Sequence, residues 1–161
     1  MKELTNLQFL LLEDGVISGE IPTEYGLIFS LEVIDLNFNF IGGSIPQEIF
    51  DLPNLRQLDL NDNMFTGTIS STIGQLTLLT FLQLHENMFA GVIPSEIGNL
   101  QMLDTATFQG NMFQGSMPAE VCALRQLDLD DLTSDCGPES LAEGSPPYVD
   151  CPINVCCTQC F

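Results

Sequence analysis

Basic residues are nearly absent from this chain of 161 residues. Lys2, Arg56 and Arg125 stand against 22 Asp and Glu, for a formal net charge of −19. A nucleic-acid partner needs Lys and Arg to neutralise phosphate, so that class is excluded, and an anionic membrane surface is excluded on the same ground. Long apolar runs are missing too. No stretch approaches the roughly 18–20 residues that span a bilayer. The first residues, Met1, Lys2, Glu3 and Leu4, lack the apolar core of a secretory signal. No Asn-x-Ser/Thr acceptor occurs, so glycosylation gives no support to secretion. A single histidine rules out a multi-histidine metal site. The acidity leaves open a cationic partner, Ca²⁺, or solubility alone.

Apolar residues make up 45% of the chain, which excludes a disordered one, and six cysteines lie from Cys122 onward. Cysteines in that number point to an oxidising compartment. A secreted protein should carry a signal, whereas this chain starts directly in patterned sequence. The expectation is therefore a fragment, or a chain lacking its true N-terminus.

The pattern is a repeat of 24 residues. Leu4, Ile28, Leu52, Leu76, Leu100 and Leu124 keep that spacing, as do Leu7, Leu31, Leu55, Leu79, Leu103 and Leu127. Leu12, Leu36, Leu60, Leu84, Phe108 and Leu132 form a third series. Asn39, Asn63, Asn87 and Asn111 form a fourth, with Gly15 ahead of them and Asp135 after them. Five units (4–27, 28–51, 52–75, 76–99 and 100–123) contain no insertion or deletion. Such self-similarity marks an array of stacked units, none of which buries its apolar side alone.

Each position has a physical reading. Leu82 and Leu84 alternate as the buried side of a strand, with Phe81 and Gln83 outward. Asn87 suits the turn that follows, because its amide both donates to and accepts from backbone groups, and stacked units can continue this as a ladder. Phe65, Phe89 and Phe113, after Ile17 and Ile41, predict a second buried row. Residues 93–98 read as one short helical turn, opened by Pro94 and ended by Gly98.

Residues 76–99 resemble the plant-type leucine-rich repeat, LxxLxxLxLxxNxLxGxIPxxIGxL, at nearly every position. Departures elsewhere are modest: Ser70 stands for Pro, Phe50 and Cys122 for the late Gly, and Gly15 for Asn. The resemblance implies an α/β solenoid: a right-handed leucine-rich-repeat superhelix with a concave parallel β-sheet and short convex helical turns. It often implies a second small sheet near the Gly-x-Ile-Pro step.

Residues 1–123 are thus expected to be repeats, and 124–161 a degenerate half repeat and a disulfide-rich C-terminal cap. Such a cap covers the apolar surface of the last unit, and with little core of its own it needs reinforcement. It resembles the cysteine-bearing caps of extracellular plant and algal repeat proteins. Cys122, Cys136, Cys151, Cys156, Cys157 and Cys160 allow about 15 pairings, among which sequence does not choose. Adjacent Cys156 and Cys157 are expected to take different partners. The alternative is zinc held by Cys151, Cys156, Cys157 and Cys160. It is disfavoured because the other half of a zinc ribbon is absent.

Outward strand positions are the candidate ligand-binding surface. Phe9, Val33 and Phe81 form one column with Gln57 and Thr105; Asp35, Asp59, Gln83 and Thr107 form the next, after Leu11. Asn37, Asn61 and His85 follow with Glu13 and Gln109, then Phe38, Asp62 and Glu86 with Asp14 and Gly110. Acids, amides and aromatics share one face, as on binding surfaces of solenoids. Read blandly, these columns are only solvated. Asp35, Asp59 and Asp62 hold Ca²⁺ only if about six oxygens converge. His85 beside Glu86 is a conceivable base, yet no Ser or Cys nucleophile follows from the register.

The expected function is protein or peptide binding through the concave face, in a secreted or cell-surface, receptor-like or inhibitor-like protein. The ligand is a basic one on charge grounds, with no cofactor, metal or catalytic residue. A rigid or adhesive spacer is the alternative, and an accessory domain to an enzyme encoded elsewhere is a third reading.

Overall fold

In the computed structural model, residues 4, 6–135, 149–150, 156–157 and 159–160 are described. The chain winds as a leucine-rich-repeat solenoid. One strand per unit enters a seven-stranded parallel sheet: Phe9–Leu11, Val33–Asp35, Gln57–Asp59, Phe81–Gln83, Thr105–Thr107, Asp131–Ser134 and Gln159–Cys160, in that order. Neighbouring units pair in strict register, Phe9 beside Val33, Gln57, Phe81 and Thr105. On the opposite side lie 3-10 turns at Thr23–Leu27, Gln47–Asp51, Ser71–Gln75 and Ser95–Asn99, then an α-helical turn at Ala119–Ala123.

The core fills the space between. Ile34, Leu58, Leu82 and Ala106 from the strands meet Ile49, Ile73, Ile97 and Val121 from the turns, all fully buried. A second row stacks ring on ring: Phe65 and Phe89 lie 5.9 Å apart, Phe89 and Phe113 6.2 Å apart, with nearly parallel planes. Ile41 continues this row, whereas Ile17, expected there too, is partly exposed. Short strands carry or adjoin the row: Ser18–Glu20 with Phe40–Gly43 and Met64–Phe65, then Ala90–Gly91 with Met112–Phe113.

The asparagine ladder forms as the spacing predicts. Asn87 donates through Nδ2 to the carbonyls of Leu60, Leu84 and His85, and its Oδ1 accepts the Phe65 N–H at 2.9 Å. Asn39, Asn63 and Asn111 repeat this arrangement one unit apart. Each amide therefore satisfies turn carbonyls in two units at once.

The late glycine serves a different purpose from the one its position suggests. Gly98 lies inside the turn Ser95–Asn99 and does not end it. A Cβ there would come within 2.5 Å of Glu120 Cβ, and one on Gly26 within 2.4 Å of the Glu48 carbonyl oxygen. Glycine is present because adjacent convex turns approach closely. At Ser70, in place of the usual Pro, the hydroxyl accepts the Thr72 N–H and caps the turn.

Past residue 123 the period shifts. Leu132 pairs with Ala106 and Asp131 with Thr105, a step of 26 residues. Leu132 therefore occupies the first inward strand position, and Ser134, also buried, takes the second. Spacing places Leu127 in the core, but it is 57% exposed, and Leu129 is buried in its place at 2%. The helical turn Ala119–Ala123 runs directly into a 3-10 turn, Leu124–Gln126, which accommodates the two extra residues. Asp135 likewise does not stand at the asparagine position.

Cys122, at the end of unit five, is disulfide-bonded to Cys156, 34 residues on. Cys157 is also in a disulfide, so these two neighbours do not bridge each other. Oxidised Cys156 and Cys157 offer no thiolates, and the zinc alternative falls. Cys136 and Cys151 lie outside the described residues. Val149–Asp150 pairs with Gly115–Ser116, and Gln159–Cys160 closes the main sheet.

Candidate binding face

The outward columns lie on the concave side of the main sheet, but they are not equally open. Phe9, Phe38 and Glu86 are exposed, and Val33, Asn37, Asp62, Phe81, Gln83 and His85 are half-buried. Asp35, Asp59, Asn61 and Thr107 are buried, against the expectation of solvated side chains. Strands about 4.8 Å apart place equivalent residues side by side, so each covers its neighbours. Thr107 hydrogen-bonds His85, and Asn61 donates to Asp62 Oδ2 at 2.7 Å.

The last column has a distinctive backbone. Asp14, Phe38, Asp62 and Glu86 all adopt left-handed φ values of 50 to 52°, and Gly110 one of 67°. The turn before the asparagine requires it, and for a bulky residue such as Phe that conformation is uncommon. Phe38 is thus held pointing out by the repeat geometry, 54% exposed. At Gly110, the column's one glycine, a Cβ would meet only the far end of the exposed Glu86 side chain.

Two side chains titrate abnormally. Burial, then the neighbouring Asp35 charge, raises the Asp59 carboxyl to about 6. Hydrogen bonds from Asn61 and Asn37, which favour the carboxylate, offset only part of this. Burial lowers the His85 pKa, opposed by the charges of Asp62 and Glu86. His85 Nδ1 lies 2.8 Å from Thr107 Oγ1, and Nε2 lies 3.8 Å from Asp62 Oδ2. Its hydrogen-bonding partner is thus a buried threonine on the next strand, not the Glu86 beside it in sequence. Among the described residues, no group of three or more His, Cys, Asp or Glu converges to hold a metal. Spacing identifies the columns but not which members bury each other, since it carries no packing information.

Residues 29–89 match the leucine rich repeat family. A chain of the BIR3–SERK2 complex from Arabidopsis thaliana is 34% identical with a TM-score of 0.69, over 84% of this chain and 73% of that one. The chain belongs to the plant-type leucine-rich-repeat family. The Arabidopsis receptor kinase HAESA, in complex with the peptide hormone IDA and the co-receptor SERK1, is 38% identical with a TM-score of 0.75. The match covers 80% of this chain and 22% of that one. The ectodomain of the Arabidopsis thaliana receptor kinase GASSHO1/SCHENGEN3 is 32% identical with a TM-score of 0.72, over 90% of this chain and 18% of its own. This repeat array therefore spans about a fifth of those receptor chains. No curated protein matches the sequence. Among the described residues, no helix is long and apolar enough to cross a membrane.

Proposed function

We propose that this repeat array is a ligand-binding section of an extracellular, receptor-like protein. It takes a peptide or an extended protein segment across the concave face of units two to four. The observation that carries this reading is Phe38, exposed at 54% on a left-handed backbone, where the equivalent positions hold Asp14, Asp62 and Glu86. No packing requirement selects an aromatic there, and exposed aromatics next to polar groups are the usual anchors of binding sites. Phe81 lies half-buried on the same face, with Asp62 and Glu86 nearby in sequence register. The similar HAESA chain is in complex with a peptide hormone, and the similar receptor RGFR1 with RGF2, which supports the ligand class.

The net charge of −19 favours a basic ligand, whose association should slow as salt screens the attraction. The test is selection of displayed random peptides on the intact chain and on a Phe38→Ala, Phe81→Ala double variant. Enriched peptides should carry Lys or Arg, and each substitution should cost roughly 1–3 kcal/mol of affinity. Peptides that bind both proteins equally would move the site off this face. Failure to enrich any would favour the spacer.

A further inference from the structure

The flank that carries the short second strands has an exposed apolar row, one residue per unit. Val16, Phe40, Met64, Met88 and Met112 keep the 24-residue spacing and are 41 to 86% exposed. From Phe40 on, each stands one residue before a buried one (Ile41, Phe65, Phe89 and Phe113), so it points outward. The next outward column, Ser18, Gly42, Thr66 and Ala90, is small, and the one after it holds Thr68 and Val92. A large row beside a small column makes a shallow furrow along the solenoid. Val92 also lines a hollow of about 670 Å³ with Ile93, Pro94 and Pro118, between the strand Ala90–Gly91 and the convex turn Ser95–Asn99.

In a chain of net charge −19, units two to five place no Asp, Glu, Lys or Arg in these three columns. Acids border them on both sides. Two residues before the row come Asp62 and Glu86, and on the convex turns come Glu48, Glu96 and Glu120, none of them buried. Glu96 itself lines the hollow. An apolar strip rimmed by polar groups marks an interaction surface. The charge of the rim selects the partner, which must bring Lys or Arg to both edges. A second copy of this chain would set acids against acids, and residues 136–161 contain no Lys or Arg to lay across the strip. The occupant is therefore a different protein.

The backbone decides the form of that partner. Along the flank, N–H groups already serve the unit before: Phe40 donates to Ile17, Met88 to Phe65 and Met112 to Phe89. The strip presents the face of a sheet, so an extended segment lying on it would find no backbone partners there. A helix pairs its own N–H and C=O groups internally. Five rungs about 4.8 Å apart span roughly 20 Å, between three and four turns of helix at about 5.4 Å each. Flexible methionine side chains adapt to varied apolar neighbours. We propose that this flank docks an amphipathic helix of a partner protein, its apolar side on the row from Phe40 to Met112 and Lys or Arg along both edges. The surface is separate from the concave face and does not depend on that reading.

The test titrates the whole chain with a synthetic Leu/Lys helix of about four turns, apolar on one side with Lys at both edges. A scrambled peptide of the same composition and a Leu/Glu helix are the controls, and methionine methyl NMR signals report the position. The Leu/Lys helix should saturably shift Met64, Met88 and Met112. It should leave Met102, exposed in the turn ahead of the strand Thr105–Thr107, unmoved. The scrambled peptide should bind roughly tenfold more weakly, and the Leu/Glu helix not at all. The pair Met64→Ser, Met88→Ser changes only exposed side chains and should weaken the helix by roughly tenfold or more. Glu96→Gln with Glu120→Gln, on the rim, is the second variant and should weaken it as well. Peptides selected on the concave face should bind the methionine variant as they bind the parent, which separates the two surfaces. Equal binding of the helix and its scrambled form, or an equal shift at Met102, would mean plain attraction to acidic charge and overturn the proposal. So would absence of binding by the Leu/Lys helix. A peptide-free dimer in sedimentation that the methionine substitutions dissociate would also overturn it, by making a second copy the occupant.

Discussion

The Asp135 carboxylate receives the backbone N–H of Asn111 at 3.2 Å, and with its other oxygen that of Gly110 at 3.0 Å. One unit earlier the matching groups, Asn87 N–H and Glu86 N–H, donate to the carbonyls of Gly110 and Gln109. A side chain thus stands in at this turn where a further regular repeat would supply backbone carbonyls. Asp135→Ala should leave two N–H groups unserved and cost about 1–3 kcal/mol in urea unfolding. The Gly110 and Asn111 amides should exchange faster, and unchanged exchange at both would show that Asp135 has no capping role.

Phe81 and Leu82 are adjacent in sequence and opposite in environment. Leu82 is fully buried, so Leu82→Ala should cost about 2–5 kcal/mol. Phe81 sits half-buried on the open face and should cost well under half as much on the same substitution. Equal losses in thermal or chemical unfolding would place Phe81 in the core.

Asp59 predicts a pH dependence of stability. Its carboxyl is raised from 3.8 to about 6 in the folded chain, so the folded state holds the proton more tightly than the unfolded one. The stabilisation is complete below the unfolded value and is lost as pH rises through about 6. Asp59→Asn should therefore match the parent at low pH and exceed it at pH 7, by on the order of 1–2 kcal/mol. Urea melts across that range check the sign; a gap independent of pH would contradict it.

The Cys122–Cys156 bridge closes a loop across a sequence separation of 34. Losing it through a Cys122→Ser, Cys156→Ser pair should cost about 2–4 kcal/mol. The loosening should begin in residues 124–161, ahead of units two to four. Hydrogen exchange read region by region would show this, and simultaneous loss everywhere would mean that the array and its C-terminal segment unfold together.

Unit one should be the least protected of the repeats. Leu4, Leu12 and Ile17 are partly exposed, whereas Ile28, Leu36 and Ile41 at the equivalent places in unit two are buried. Exchange in residues 6–27 should outpace that in units three and four, since fewer apolar contacts hold it. Equal protection in a monomeric sample would refute this ordering.

Sequence alone determined the period, the strand and turn positions, the ladder of Asn39, Asn63, Asn87 and Asn111, and the stacked Phe65, Phe89 and Phe113. These follow from repetition, because a short unit with one apolar side must stack on its copies, and stacking aligns equal positions. Tertiary structure decided the rest. Leu127 and Leu132 fit the 24-residue spacing, yet the continuous turn from Ala119 to Gln126 moved the strand and put Leu129 in the core. Burial of Asp35, Asp59, Asn61 and Thr107 on an outward face depends on how neighbouring strands cover one another. His85 found Thr107 across the sheet, and Cys122 found Cys156, through distances in space to which sequence spacing is blind. Periodicity specifies which face a residue takes; only packing specifies what it meets there.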